Sequence, residues 1–144
     1  VTRDDRAVGQ EREDGFRAGL LEAGIVLPEE LYGLSEFSVE SGYRQAKVIL
    51  EKNSDIDIIS CATDTIAAGA MEALKECKKE RREKVKVTGF GDNQFLKAVS
   101  EGITTVHFYY KTSGIKAAEM LLDIIEEGHQ VPIRMKLGYQ IMEH

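Results

Sequence analysis

Two short polar groups in this chain carry the residue types that bind or transform small molecules. Thr63, Asp64 and Thr65 follow the apolar run Ile56-Asp57-Ile58-Ile59 and open the stretch IAAGAMEAL. Gly91, Asp92 and Asn93 close the sequence GFGDN after a second run beginning near Lys84. In open parallel α/β sheets, ligands sit beyond the carboxyl ends of the strands. That rule gathers both groups with Phe37 and with the segment holding Arg6 and Arg12. Carboxylates, an amide, threonine hydroxyls, arginine and one aromatic face suit a polyhydroxylated ligand. Paired donors and acceptors hold its hydroxyls, and the aromatic packs on the C–H side of a sugar ring.

Each residue also has a plainer role. Thr63 or Asp64 can cap the following helix, worth about 1 kcal/mol. Asp92 can be a turn residue, Phe37 core, and Arg12 a solvated or ion-paired charge. Catalytic constellations are weak. His107, His129 and His144 fall on a strand, a loop and the terminus without metal-ligand spacing, and no Walker loop, GxGxxG or GxSxG is present. Asp4, Asp5, Asp64 and Asp92 could imitate an acidic phosphotransfer pocket, but no strand precedes Asp4. No enzymatic activity, cofactor or metal is expected.

The elements that must position these groups alternate between helical and strand periods. Val8, Phe16, Leu20 and Ala23 share a helical face that Gly24 ends. Leu31–Phe37 reads as extended, and Ser38 can cap a helix with Val39, Tyr43, Ala46 and Leu50 as its stripe. Ile56–Cys61 reads as a strand buried on both faces, followed by a helix over residues 65–79 and a strand from Lys84 to Gly89. A short helix over Phe95–Val99, an extended Ile103–Phe108, a helix over Thr112–Glu127 and an edge strand from Ile133 to Ile141 complete the pattern. This predicts an α/β fold: a doubly wound, mainly parallel sheet with helices on both faces.

The chain has 144 residues, 31% charged and 42% hydrophobic, the balance of one globular domain. No apolar run approaches a membrane span, and no leader-like segment opens it. A net charge of −6 argues against gripping phosphates directly. The run Lys78-Lys79-Glu80-Arg81-Arg82-Glu83-Lys84 reads as a solvated helix end rather than a nucleic-acid patch. Cys61 and Cys77 are expected to be reduced thiols, which fits a cytoplasmic setting.

The helix after Thr65 carries two apolar stripes, Ile66-Ala70-Ala73-Cys77 and Ala67-Met71-Leu74. Packing on a sheet needs one. The second predicts a partner subunit, or else close cover by neighbours in the same chain.

Taken in order, AVGQEREDGFRAGLLEAGI, FSVESGYRQAKVIL, IISCATDTIAAGAMEAL, VKVTGFGDN and ITTV followed by GIKAAEMLL resemble the lactose/galactose repressor family of bacterial transcription regulators. The resemblance covers essentially the whole chain, and its combination of R-x-x-G-F, ATD-x-IA-x-GA and TTV is more specific than any single piece. It implies a periplasmic-binding-protein-like (type I) fold, mostly the C-terminal lobe, with about 107–127 crossing to an N-terminal lobe and the helix-turn-helix outside the chain. It also implies a sugar or sugar phosphate effector bound between lobes, a homodimer, and operator DNA contacted only through the N-terminal domain. By position, Arg12, Arg6, Phe37, Thr63 and Tyr110 match effector contacts. The helices at 38–52 and 65–78 match the subunit interface, placing Val39, Tyr43, Ala67, Ala70, Met71 and Leu74 there. Gly91 stands where many members have an aspartate; either Asp92 takes its place or the hydroxyl pattern recognised differs. A sugar-binding protein of a transport system shares the fold, and an α/β enzyme fragment is the third reading.

Overall fold

The computed structural model describes residues 6–94, 96, 103–128 and 131–143, without the side chains of 6, 7 and 127. A π-helical turn at Arg6–Gln10 runs into α1 (Glu11–Glu22), and a 3-10 turn at Glu29–Leu31 precedes α2 (Val39–Lys52). Then follow β1 (Ile58–Ser60), α3 (Asp64–Lys75), α4 (Lys79–Lys84) and β2 (Lys86–Thr88). β3 (Thr105–Phe108) leads directly into α5 (Tyr110–Glu127), and β4 (Tyr139–Met142) closes the order.

β1 and β2 pair in parallel, Ile59 opposite Val87, while β3 and β4 pair antiparallel, Val106 opposite Ile141. A parallel bridge between Thr88 and Thr104, with Gly89 N–H on Thr104 O and Gly91 N–H on Val106 O, joins the two ladders across β2 and β3. The described strands therefore follow the order β1, β2, β3, β4, parallel across the first three, with the antiparallel β4 beside β3.

Local chemistry sets the boundaries. Ser38 accepts the Ser41 N–H and Thr63 accepts the Ile66 N–H, so both expected caps form. Gly24 takes φ of 74°, and the Gly24 and Ile25 N–H groups return to Leu21 and Leu20 carbonyls, the six-to-one and five-to-two closure of a helix end. Gly128, at φ of 65°, ends α5.

The core gathers Ala46 and Leu50 of α2, Ile66, Ala70 and Leu74 of α3, and Val87 and Ile103 at the sheet. α2 and α3 lie close because each offers a glycine. A Cβ on Gly69 would fall 2.1 Å from Val39 O, and one on Gly42 2.4 Å from Ile66 O. The narrow alanine-rich helix therefore lies against α2 of its own chain. Ala67 and Ala70 keep 0% and 1% of their surface, and Leu74 is also buried, so these three present no surface to a partner. This corrects their assignment to an interface surface: the small side chains there permit helix-on-helix approach within the chain. Val39, Tyr43 and Met71 retain exposed or half-exposed surface.

Other boundaries shift. The strand expected over Ile56–Cys61 spans only Ile58–Ser60, and Ile58 is 60% exposed rather than buried, since β1 pairs with β2 alone among the described strands. Tyr32–Phe37 forms no described strand. The 65–79 helix stops at Lys75, and the charged run after it becomes the separate helix α4, whose Arg81 reaches the Asn53 carbonyl. α1 buries none of its residues: Phe16, like Val8 in the turn before it, stays exposed, and Leu20 is half-buried. The edge strand is confined to Tyr139–Met142. The Phe95–Val99 helix lies largely outside the described residues.

Candidate functional site

Three strand ends and α1 converge on one group. Arg12, the second residue of α1, donates from its guanidinium to the Ala62 carbonyl just past β1. The guanidinium lies over the Phe90 ring, 4.0 Å from its centroid, a cation–π contact that fixes its plane. Phe90 follows β2 and meets Phe108 at 5.0 Å, and Phe108 meets Tyr110 at 5.9 Å. The result is an aromatic wall with an arginine held against one end.

Beneath it, Asp64 is 3% exposed, and its carboxylate accepts from Thr105 Oγ1 at 2.6 Å and from the Asn93 N–H at 2.6 Å. A buried carboxylate must be satisfied this way. Its own N–H donates to the Phe90 carbonyl. Asp64 is thus a fastening between the α3 start and the turn after β2. Gly91 in that turn has φ of 133°, which a side chain rarely adopts. An aspartate at that position would be strained; the acidic residue of this turn is Asp92, one position later. Asp92 carries φ of 55°, gives its N–H to Thr105 Oγ1 at 3.2 Å and accepts from His107 Nδ1 at 2.6 Å.

Of the residues named from sequence, Tyr110 donates to the Gly91 carbonyl at 3.0 Å, next to Asp92 in the turn after β2, and Arg12 reaches that turn through the Phe90 ring. Thr63 caps α3 beside them. Phe37 is 40% exposed in the bend before α2, and no described ring or hydrogen-bond contact joins it to this group. The Arg6 side chain lies outside the described residues. Phe90, Thr105 and His107 were missed. The GFGDN motif pointed to Phe90, and TTVH held the other two, but only the fold brings them together.

A cavity of about 820 Å³ runs between α1, the sheet and α2, touching Arg12 and Phe90 at one end and otherwise lined mainly by apolar residues such as Val8, Phe16, Ile49 and Ile59. Asp92, Thr63 and Tyr110 do not line it. The polar group at the strand ends, not this apolar space, has the donors and acceptors for a hydroxylated ligand. No group of metal-binding residues occurs among the described residues, and no described helix is long and apolar enough to cross a membrane.

Three titrating groups that line the cavity are shifted from their ordinary values. Burial, reinforced by the nearby Asp64 charge, pushes the Cys61 thiol up to about 12. Below α1, burial and a hydrogen bond to Glu13 push Tyr32 up to about 12, while the same bond, assisted by Arg17, draws Glu13 below its ordinary value.

Comparison with known proteins places this geometry. The model of the periplasmic binding protein-like domain matches residues 1–143. The HTH-type transcriptional regulator CelR of Thermobifida fusca is 28% identical over 96% of this chain and 41% of its own length. The HTH-type transcriptional repressor PurR of Erwinia tasmaniensis is 35% identical over 84% of the chain and 36% of its own. A solved CelR–cellobiose complex superimposes with a TM-score of 0.86 at 27% identity, covering 99% of this chain and 43% of that one. The chain thus spans roughly two fifths of the length of the curated relatives it matches. It belongs to the periplasmic binding protein-like domain family and, within it, is homologous to the effector cores of transcription regulators of the lactose/galactose repressor type.

Proposed function

We propose that this chain is the effector-sensing and dimer-forming portion of a bacterial transcriptional repressor of carbohydrate metabolism. It is not an enzyme, and it acts in the cytoplasm. The observation that carries the reading is the Arg12 guanidinium over Phe90, one residue from the Gly91–Asp92 turn that Tyr110 holds, at the strand ends of a fold whose relatives are transcription regulators. One of those relatives was solved with cellobiose.

Arg12, Asp92 and Tyr110 bind hydroxyls or a sugar phosphate, and Thr63, Phe37 and Arg6 complete the contacts when a second lobe closes over them. Residues 107–127 lead to that lobe, a reading supported by the exposed Ile115, Leu122 and Ile125 on α5. Closure favours one interlobe angle, which a dimer built on Val39, Tyr43 and Met71 carries to DNA-binding heads elsewhere in the protein. The coupling requires tighter effector binding to one angle than to the other.

The test is binding of the intact native protein to DNA upstream of its own gene, followed by anisotropy against a panel of mono- and disaccharides and sugar phosphates, cellobiose included. One sugar should shift DNA affinity by about 5- to 150-fold. Sugar binding without any DNA binding would move the assignment to a transport binding protein, and turnover of a panel member would move it to an enzyme.

A further inference from the structure

His107 belongs to no group of metal-binding residues among the described residues, and its sequence context assigns it no role. In the structure it stands two residues beyond Thr105 on β3, on the same side of that strand. Its Nδ1 donates to Asp92 Oδ2 at 2.6 Å, where Asp92 is only 9% and His107 31% exposed. Thr105 Oγ1 accepts the Asp92 N–H and donates onward to Asp64. Tyr110, opening α5, holds the Gly91 carbonyl. The imidazole also stands edge-on to Tyr109 and Tyr110, with centroids 5.3 and 6.4 Å away. One continuous segment, from Thr105 to Tyr110, therefore grips the Gly91–Asp92 turn through three side chains and the Val106 carbonyl. Asp92 takes a positive φ of 55°, a left-handed conformation that aspartate enters more readily than most residues with a side chain, and the grip holds the turn in it.

We propose that His107 is a positioning residue of the candidate effector site. It aims the Asp92 carboxylate and fastens the turn after β2 to the start of α5, so that a ligand drawing on Asp92 moves both together. A charge-assisted bond from a ring braced by two tyrosines is stiffer than the neutral bond from Tyr110 to the Gly91 carbonyl. The proposal rests on the effector reading for what Asp92 meets, but the clamp itself does not need a ligand.

The test is amide hydrogen exchange in the intact native protein, without sugar, read for segments 89–94 and 108–114. His107→Phe keeps the ring and removes the donor, whereas His107→Asn keeps a donor near the Nδ1 position. His107→Phe should speed exchange in both segments about tenfold, and His107→Asn by no more than about twofold. Adding Asp92→Asn to His107→Phe should give no further increase, because both changes cut the same bond. Should His107→Phe fail to fold, Asp92→Asn alone should loosen the same two segments. Unchanged exchange, an Asn variant as fast as the Phe variant, or additive effects in the double variant would overturn the clamp. A wild-type protein that binds no sugar would sink the effector reading and leave this one standing.

Discussion

At the residue scale, the caps were legible and the fastenings were not. Ser38 and Thr63 act on N–H groups three residues away, so local sequence shows their chemistry. Asp64 meets Thr105 across 41 positions, and Arg12 meets Phe90 across a longer gap, so only the sheet order brings these pairs together. Asp64→Ala should cost about 3 kcal/mol in urea unfolding, since it strands the Thr105 hydroxyl and the Asn93 N–H. A loss near zero would make Asp64 an ordinary cap neighbour. The cysteines separate in the same way. With its thiol pushed up to about 12 by burial, Cys61 holds almost no thiolate at pH 8. A thiol reagent should label half-buried Cys77 well before Cys61 in the native protein, and equal rates would show that the β1 end opens readily.

At the scale of elements, helix positions were readable from period, and their cover was not. Apolar spacing identified α1, yet spacing cannot say whether anything packs on Val8 and Phe16, which the structure leaves exposed. The doubled stripe on α3 had two readings. Gly42 and Gly69 decide for close contact with α2, because small residues on both helices let the backbones meet. Gly69→Ala should destabilise the domain by about 1–3 kcal/mol through overpacking, measurable as a fall in denaturant midpoint. An unchanged midpoint would mean that the helices separate easily. α1 is tied to the following loop by Tyr32 and Glu13, whose hydroxyl–carboxylate distance is 2.5 Å. Tyr32 is raised from 10.0 to about 12, so its contribution is full below pH 10 and disappears as pH rises through about 12. Glu13 is lowered from 4.5, so its contribution is present above that value and is lost as acid protonates it in the fold. Stability of wild type should fall between pH 10 and 12 by more than that of Tyr32→Phe, and parallel curves would remove the pair from the account.

At the scale of the whole molecule, order of motifs carried more than any single site. The alternation of strand and helix predicted the parallel α/β arrangement, and the family match over residues 1–143 agrees with it. At this scale burial within the chain narrows the residues left for a partner surface. Ala67, Ala70 and Leu74 matched interface positions by register, but a single chain already covers them. A dimer through this face must use α2 and the outer side of α3, where Val39 keeps 48% of its surface and Tyr43 donates to Glu76 beside Lys47. Tyr43→Arg should shift the intact protein toward monomer in sedimentation, while an unchanged dimer would place the interface elsewhere. The central claim remains that Arg12, Phe90, Asp92 and Tyr110 form a sugar-sensing surface. Calorimetric titration of the intact native protein and its Arg12→Ala variant with the saccharide panel tests it most directly. The account predicts saturable binding of one sugar by wild type and a loss of at least about tenfold in Arg12→Ala at unchanged melting temperature. Equal affinity in the two proteins, or no binding of any sugar by wild type, would contradict it.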